Sequence, residues 1–330
     1  MDIKQNFKII GSGIYFPQQV LDAEQVDHRI GKPAGWTREN IGVLRRHECT
    51  DPESIATMAR EAVTHAMDDA AIDWSDVDLI IDCSTSRHRP IPCNAVHVQA
   101  LFGQAARSIP CFDIQSTCLG FIVALNVANS LMQSDNYQNI MIVCSEAPLT
   151  GVNWQDPESS SLFGDAAAAV VLSRREASNG GLYIHESFSD YLDACTIDGG
   201  GHCLTPYDFT RDNETRYRFR MDGSTVMRAA IKHLRPMVRK VLDRPEVDLS
   251  MLHIVPHQGA PKSLDIMRRH LAFPEDRYYN NVAQYGNLVA ASIPVTLHQC
   301  LKNEKIRAGD RVMLIGTSAG YSQAAMVFDV

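Results

Sequence analysis

Phe112-Asp113-Ile114-Gln115-Ser116-Thr117-Cys118-Leu119-Gly120-Phe121-Ile122-Val123-Ala124-Leu125 is the stretch from which the rest of the chain can be read. A polar, small-residue turn ends at a cysteine, and a long apolar run follows that predicts a buried helix. A thiol at such a helix start meets unpaired backbone N–H groups and the positive end of the helix dipole, both of which favour the thiolate. The same N–H groups can hold an oxyanion formed at a thioester carbonyl. The position therefore points to acyl transfer through a cysteine thioester.

The pattern on either side is alternation. Residues 7–13, 77–83, 140–144, 166–172, 252–256, 311–315 and 324–328 are strand-like. Residues 54–70, 94–102, 118–132, 223–242, 262–271 and 287–302 are helix-like. Strands apolar on both faces, alternating with helices, predict an α/β protein with covered sheets. The order repeats weakly. Trp74 to Cys83 resembles Pro245 to Pro256: a helix precedes and a core strand follows. Each half then has a buried helix opening at a polar residue, Cys118 in one and Asn287 in the other, and closes with two apolar strands. Two facing halves would bring both helix starts to a shared central site. The boundary is expected near 173–181, where the chain turns polar and Gly-rich, giving halves 1–175 and 176–330.

Composition narrows the function classes. The 330 residues are 45% hydrophobic and 21% charged, with a formal net charge of -8, which argues against bulk attraction to nucleic acid. No apolar run approaches a membrane span. Residues 1–6 lack a signal peptide's apolar core, so a cytoplasmic location is expected. Nine cysteines at irregular spacings read mostly as reduced, buried small hydrophobes. No metal site is expected. His253 and His257 are four apart but lie on a strand-like run, where they would be roughly 13 Å apart, and His202-Cys203 with Cys195 reads as an ordinary loop.

Two further segments carry chemistry. In Ile254-Val255-Pro256-His257-Gln258-Gly259-Ala260 a histidine follows an apolar strand. In Tyr285-Gly286-Asn287-Leu288-Val289-Ala290-Ala291-Ser292 a Gly-Asn pair opens a small-residue helix. Singly, each has a bland reading: a packed thiol, a structural histidine, a turn and cap. Together, Cys, His and Asn suit thioester chemistry: a nucleophile, a proton shuttle or oxyanion donor, and an amide donor.

With these pieces in order the chain resembles, over nearly its full length, the 3-ketoacyl-ACP synthase III-like members of the thiolase superfamily. The matching pieces are Trp36 with Ile41-Gly42-Val43, Phe112-Asp113 to Phe121, Phe163-Gly164-Asp165-Ala166-Ala167 and Met221-Asp222-Gly223. They continue with Val255-Pro256-His257-Gln258, Gly286-Asn287 with Ala290 to Pro294, and Gly320-Tyr321. The resemblance implies a duplicated thiolase-like fold layered α-β-α-β-α, a homodimer, and no cofactor beyond acyl-CoA or acyl-carrier thioester substrates. It implies Cys118 as the acyl-accepting nucleophile. His257 and Asn287 would hold the enolate left by decarboxylation of a malonyl thioester, and the backbone N–H groups of Cys118 and Ala319 would form the oxyanion hole. It also implies Trp36 as the aromatic that stacks on the adenine of coenzyme A, and Ile91 as a pocket residue where the family often has an aromatic from the partner subunit.

The chain departs from the family's usual pattern at several points. His-Gln-Ala-Asn is here His257-Gln258-Gly259-Ala260, Gly-Asn-Thr-Ser is Gly286-Asn287-Leu288-Val289, and the family's entrance arginines fall near Pro157 and at Asn40. Either fatty-acid initiation or a specialised polyketide-type condensation fits. The alternatives are an acyltransferase or thioester hydrolase using the same acyl-cysteine, and a silent partner subunit, against which the intact Cys118, His257 and Asn287 argue. Finally, residues 223–242 predict an amphipathic helix. Arg228, Lys232, Arg235 and Arg239 share its polar face, a candidate docking strip for an acidic carrier protein, while Ala230, Leu234, Met237 and Val241 face inward.

Overall fold

Residues 166–172, Ala-Ala-Ala-Ala-Val-Val-Leu, are buried on both faces. A computed structural model, which describes residues 2–330, shows what covers them. The strands are β1 (Asp2–Tyr15), β2 (Gln19–Asp22), β3 (Arg45–Glu48), β4 (Leu79–Asp82), β5 (Cys111–Asp113), β6 (Asn139–Glu146), β7 (Ala166–Ser187), β8 (Cys195–Thr196), β9 (Arg220–Met221), β10 (His253–Pro256), β11 (Arg311–Ser318) and β12 (Ser322–Asp329). The helices are α1 (Ala23–Arg29), α2 (Trp36–Asn40), α3 (Ile55–Ala70), α4 (Asn94–Leu101), α5 (Gly120–Leu131), α6 (Pro157–Ser160), α7 (Gly223–Leu242), α8 (Pro261–His270), α9 (Val282–Tyr285) and α10 (Ser292–Lys302).

Side chains on a strand alternate faces, and here each face meets a different core. On β7, Ala166, Ala168, Val170 and Leu172 join the cluster that holds Phe121, Ile122 and Leu125 of α5 and Ile293, Val295 and Leu297 of α10. Ala167, Ala169 and Val171 instead join Met58, Ala62 and Ala66 of α3 and Ala95 and Val98 of α4. In the other half Val312 and Leu314 of β11 face the α5/α10 cluster. Met313 and Ile315 face Leu234, Met237 and Val241 of α7 and Met267 of α8. Helices α5 and α10 are thus the filling between two sheet halves, with α3/α4 outside one and α7/α8 outside the other. This is the expected α-β-α-β-α layering.

The duplication is visible in the pairing. In the first half β4 and β6 are parallel, β6 and β7 antiparallel, and β7 and β1 antiparallel. In the second half β10 and β11 are parallel, β11 and β12 antiparallel, and β12 and β7 antiparallel. Even β5, parallel to β4, has a remnant counterpart in the single parallel bridge from Ile254 to Tyr278. Residues 173–181, read from sequence as a turn between halves, lie inside the single strand β7. Its first part pairs with β6 and its last part with β12, so one strand serves both halves.

Both buried helices begin later than their sequence suggests. Helix α5 starts at Gly120 and α10 at Ser292, each preceded by one 3-10 turn, Thr117–Leu119 and Val289–Ala291. The cause is local: Thr117 has φ 45° and Val289 φ 51°. A left-handed residue, costly for a β-branched side chain, cannot continue into an α-helix and forces a tighter turn. Among the described residues no helix is long and apolar enough to cross a membrane.

Candidate active site

The two 3-10 turns are copies of one device. In the first, the Thr117 N–H donates to Gln115 Oε1 (3.1 Å), Thr117 is left-handed, and the Leu119 N–H closes on Ser116 O (3.1 Å). In the second, the Val289 N–H donates to Asn287 Oδ1 (2.9 Å), Val289 is left-handed, and the Ala291 N–H closes on Leu288 O (3.0 Å). Gln115 therefore corresponds to Asn287, and Cys118 to Ala290. The sequence reading paired Cys118 with Asn287; the register corrects this by three residues. The strained turn that lifts the thiol in one half holds a methyl group in the other. What the second half offers the site is the side chain at the turn's entrance. Since the Val289 N–H occupies Oδ1, the Asn287 amide is oriented with Nδ2 as its available donor.

His257 follows β10, its N–H donating to Ile315 O on β11 (2.7 Å). Gln258 beside it is fully buried and uses its whole amide. Nε2 donates to Pro256 O (2.8 Å) and Tyr279 O (3.1 Å), while Oε1 accepts from the Asn281 N–H (2.9 Å) and Val282 N–H (3.2 Å). This residue ties the histidine loop to the segment that leads into Asn287. Gly316 allows the histidine its place: a Cβ there would stand 2.8 Å from His257 Cβ and 3.2 Å from Leu119 Cδ2. Burial pushes the imidazole down to about 4, so it is neutral at ordinary pH. Its Nδ1 is buried without a partner, which leaves Nε2 as the nitrogen with work to do.

Cys118, His257, Asn287 and Ala319 line one cavity of about 1170 Å³. The expected convergence of the two halves is thus present. The expected thiolate is not the resting form. Cys118 is half-buried in the lining of this cavity, and burial first, then Glu146 and Cys195, push its thiol up. The positive end of the α5 dipole acts in the opposite sense.

Glu146 is a residue the sequence reading passed over. It ends β6 fully buried and lines the cavity. Its carboxylate accepts from Thr85 N (2.6 Å), Ser86 N (2.9 Å) and Ser86 Oγ (2.8 Å), and from the Ala290 N–H. It thereby clamps the loop after β4 to the second half's turn. Burial outweighs these donors and raises it to about 7. The available signal was a charged residue closing an apolar run, Cys144-Ser145-Glu146, at the carboxyl end of a strand, where α/β sites gather.

Trp36, Ile91 and the four basic residues of α7 stand apart from this cavity's lining, whereas Ala230 and Leu234 of α7 belong to it. Trp36 opens α2, where Asp27 accepts from the Gly35 and Thr37 N–H groups (2.8 Å each) and Lys32 Nζ lies 5.4 Å from the ring centroid. Ile91 is 86% exposed on a surface loop. Arg228, Lys232, Arg235 and Arg239 are exposed on α7, while Ala230, Leu234, Met237 and Val241 are buried. Helix α7 runs unbroken through Pro236.

The chain is similar to known proteins over nearly its whole length. The two models of 3-oxoacyl-(acyl-carrier-protein) synthase III match residues 112–190 and, for its C-terminal part, 243–330. The chain belongs to the 3-oxoacyl-(acyl-carrier-protein) synthase III family. It is 30% identical over 323 residues to the beta-ketoacyl-(acyl-carrier-protein) synthase III of Vesicomyosocius okutanii, covering 97% of this chain and 98% of that one. The crystal structure of 3-oxoacyl-(acyl-carrier-protein) synthase III from Aquifex aeolicus superposes with a TM-score of 0.87 at 27% identity, covering 98% of this chain and all of that one. The priming β-ketosynthase of the R1128 polyketide pathway shares the fold, with a TM-score of 0.88 at 22% identity over 100% of this chain and 98% of that one. As a member of this synthase III family, the protein is an acyl-transferring condensing enzyme with the duplicated thiolase-like fold.

Proposed function

We propose that Cys118 takes an acyl group from a CoA or carrier thioester and that the acyl-enzyme condenses with a malonyl thioester. The observation that carries this reading is that a neutral imidazole and an amide donor, His257 and Asn287, line one cavity together with the half-buried Cys118 thiol. The Cys118 sulfur attacks the donor carbonyl, and its proton leaves with the donor thiol. The tetrahedral oxyanion is held by the N–H groups of Cys118 and Ala319. The malonyl carboxylate then departs as carbon dioxide. Its bonding pair forms a thioester enolate whose oxygen accepts from His257 Nε2 and Asn287 Nδ2. The enolate carbon attacks the acyl-Cys118 carbonyl, and collapse expels the Cys118 thiolate. No cofactor is required by these steps.

The test couples intact-mass spectrometry to carbon dioxide release. Acyl-CoA should add mass to the wild type and not to Cys118→Ala, and malonyl thioester should release carbon dioxide in a His257- and Asn287-dependent way. Acylation without carbon dioxide would point instead to acyl transfer or hydrolysis. No acylation from any donor would overturn the reading.

Further proposals follow from the surface. Arg228, Lys232, Arg235 and Arg239 form a docking strip for an acidic carrier, set off against a chain whose overall net charge is -8; equal rates for wild type and Arg235→Glu with carrier-bound malonyl at low salt would remove it. Trp36 receives the adenine of a CoA donor, testable by a raised KM for acyl-CoA in Trp36→Ala. A second copy of the chain pairs at β5, the end of the sheet order, beside the exposed Phe112 and Ile91. Residues 1–175 and 176–330 are the two halves, and the cytoplasm is the working compartment.

A further inference from the structure

Six residues of the C-terminal half's own core, Ala230 and Leu234 of α7, Met267 of α8, and Leu271, Phe273 and Ile315, also line the cavity that holds Cys118 and His257. Each is at most 8% exposed. In a close-packed interior such residues would fill the space between α7, α8 and β11 with one another. Here they border a void continuous with the reacting centre. At about 1170 Å³ the whole cavity exceeds the range usual for small-molecule pockets. The acyl group of a short donor fills only a small part of that space.

The lining is polarised. None of the six core residues is ionisable, whereas Asp51, Glu53, Arg87 and His88 of the same lining come from segments outside that core. An occupant of the apolar part must therefore end in hydrocarbon. Its polar end must reach Cys118, because the thiol, the imidazole and the Asn287 amide share this cavity.

We infer that the void between α7 and α8 is an acyl-chain arm, and that the primer carried by Cys118 is a medium- to long-chain acyl group whose length Ala230 and Met267 limit. This rests on the acyl-Cys118 reading above and adds the class of acyl group. Each methylene drawn from water into the arm should raise acylation efficiency on the order of fourfold until the arm is full.

The test offers acetyl-, octanoyl- and myristoyl-CoA to the full-length protein and reads acylation rates by intact mass. Octanoyl and myristoyl should outrun acetyl. Ala230→Phe, which fills the arm, should lower the myristoyl-to-acetyl ratio on the order of a hundredfold, and Met267→Ala should raise it. Thermal melting confirms that both variants fold. A second measurement separates the two ideas: binding of a fluorescent polyene fatty acid to Cys118→Ala, which needs no acylation. Binding that is lost in the Cys118→Ala, Ala230→Phe double variant supports the arm even where acylation fails. Acetyl transfer as fast as myristoyl transfer, with both ratios unmoved by the variants, would overturn the arm and leave the acyl-Cys118 reading standing. Failure of every donor together with no fatty-acid binding would overturn both.

Discussion

His257 has a fate set by enclosure. Its ordinary value near 6.5 is pushed down to about 4 by burial alone, so the folded protein resists protonating it where the unfolded chain does not. The stability this contributes is present above pH 6.5 and is lost as pH falls through the folded value. About 3 kcal/mol is at stake over that window. Asp82, Glu146 and Asp165 act in the opposite sense. Burial raises each to about 7, so their contribution is present at low pH and fades as pH rises toward neutrality. The His257 part is therefore read by difference. Urea unfolding of the wild type and of His257→Asn should show a gap that varies between pH 7 and pH 4.5, with the wild type losing more on acidification. A gap that stays constant would mean the imidazole is solvated. Cys118, His257 and Asn287 were legible as types in order. That the thiol rests protonated was not, because a one-dimensional reading sees the helix that follows Cys118 but not the walls that close over it.

The elements around the site are held by close approaches rather than by charge. Gly316 on β11 is one of these, since a methyl group there would press on His257 Cβ and on Leu119 beneath the nucleophile. Gly316→Ala should cost about 1–3 kcal/mol of stability and lower kcat more than tenfold through displacement of the imidazole, measured by chemical unfolding and steady-state kinetics. A variant with normal kcat would show that the loop yields freely. Gly120 plays the same part under the nucleophile's turn, with a Cβ there only 2.3 Å from Cys83 O. Strands and helices were legible within a few residues because their periodicities are local. The 3-10 turns before α5 and α10 were not. Thr117 and Val289 prefer extended backbone, and only packing between the two halves holds them left-handed. For the same reason the sequence repeat misaligned Cys118 with Asn287.

At the scale of the molecule, β5 ends the sheet beside β4 with Phe112 38% exposed on it. An open edge carrying an aromatic is a ready template for another strand. Phe112→Asp should shift the protein toward monomer in analytical ultracentrifugation while leaving the far-ultraviolet circular dichroism intact. A wild-type protein that sediments as a monomer at micromolar concentration would remove the proposed pairing. The acyl-chain arm also belongs to this scale, because α7, α8 and β11 come from segments distant in sequence.

By itself the sequence determined the α/β class, the duplicated order, and the three side-chain types that chemistry at a thioester needs. Those are properties of local period and of short motifs, which survive without knowledge of neighbours. Only the tertiary structure decided the register of the duplication, the use of β7 by both halves, the clamp made by Glu146, the protonation of Cys118 and His257, and the size of the cavity. Each of these depends on which distant surfaces exclude water from one another, and that is settled when the chain packs.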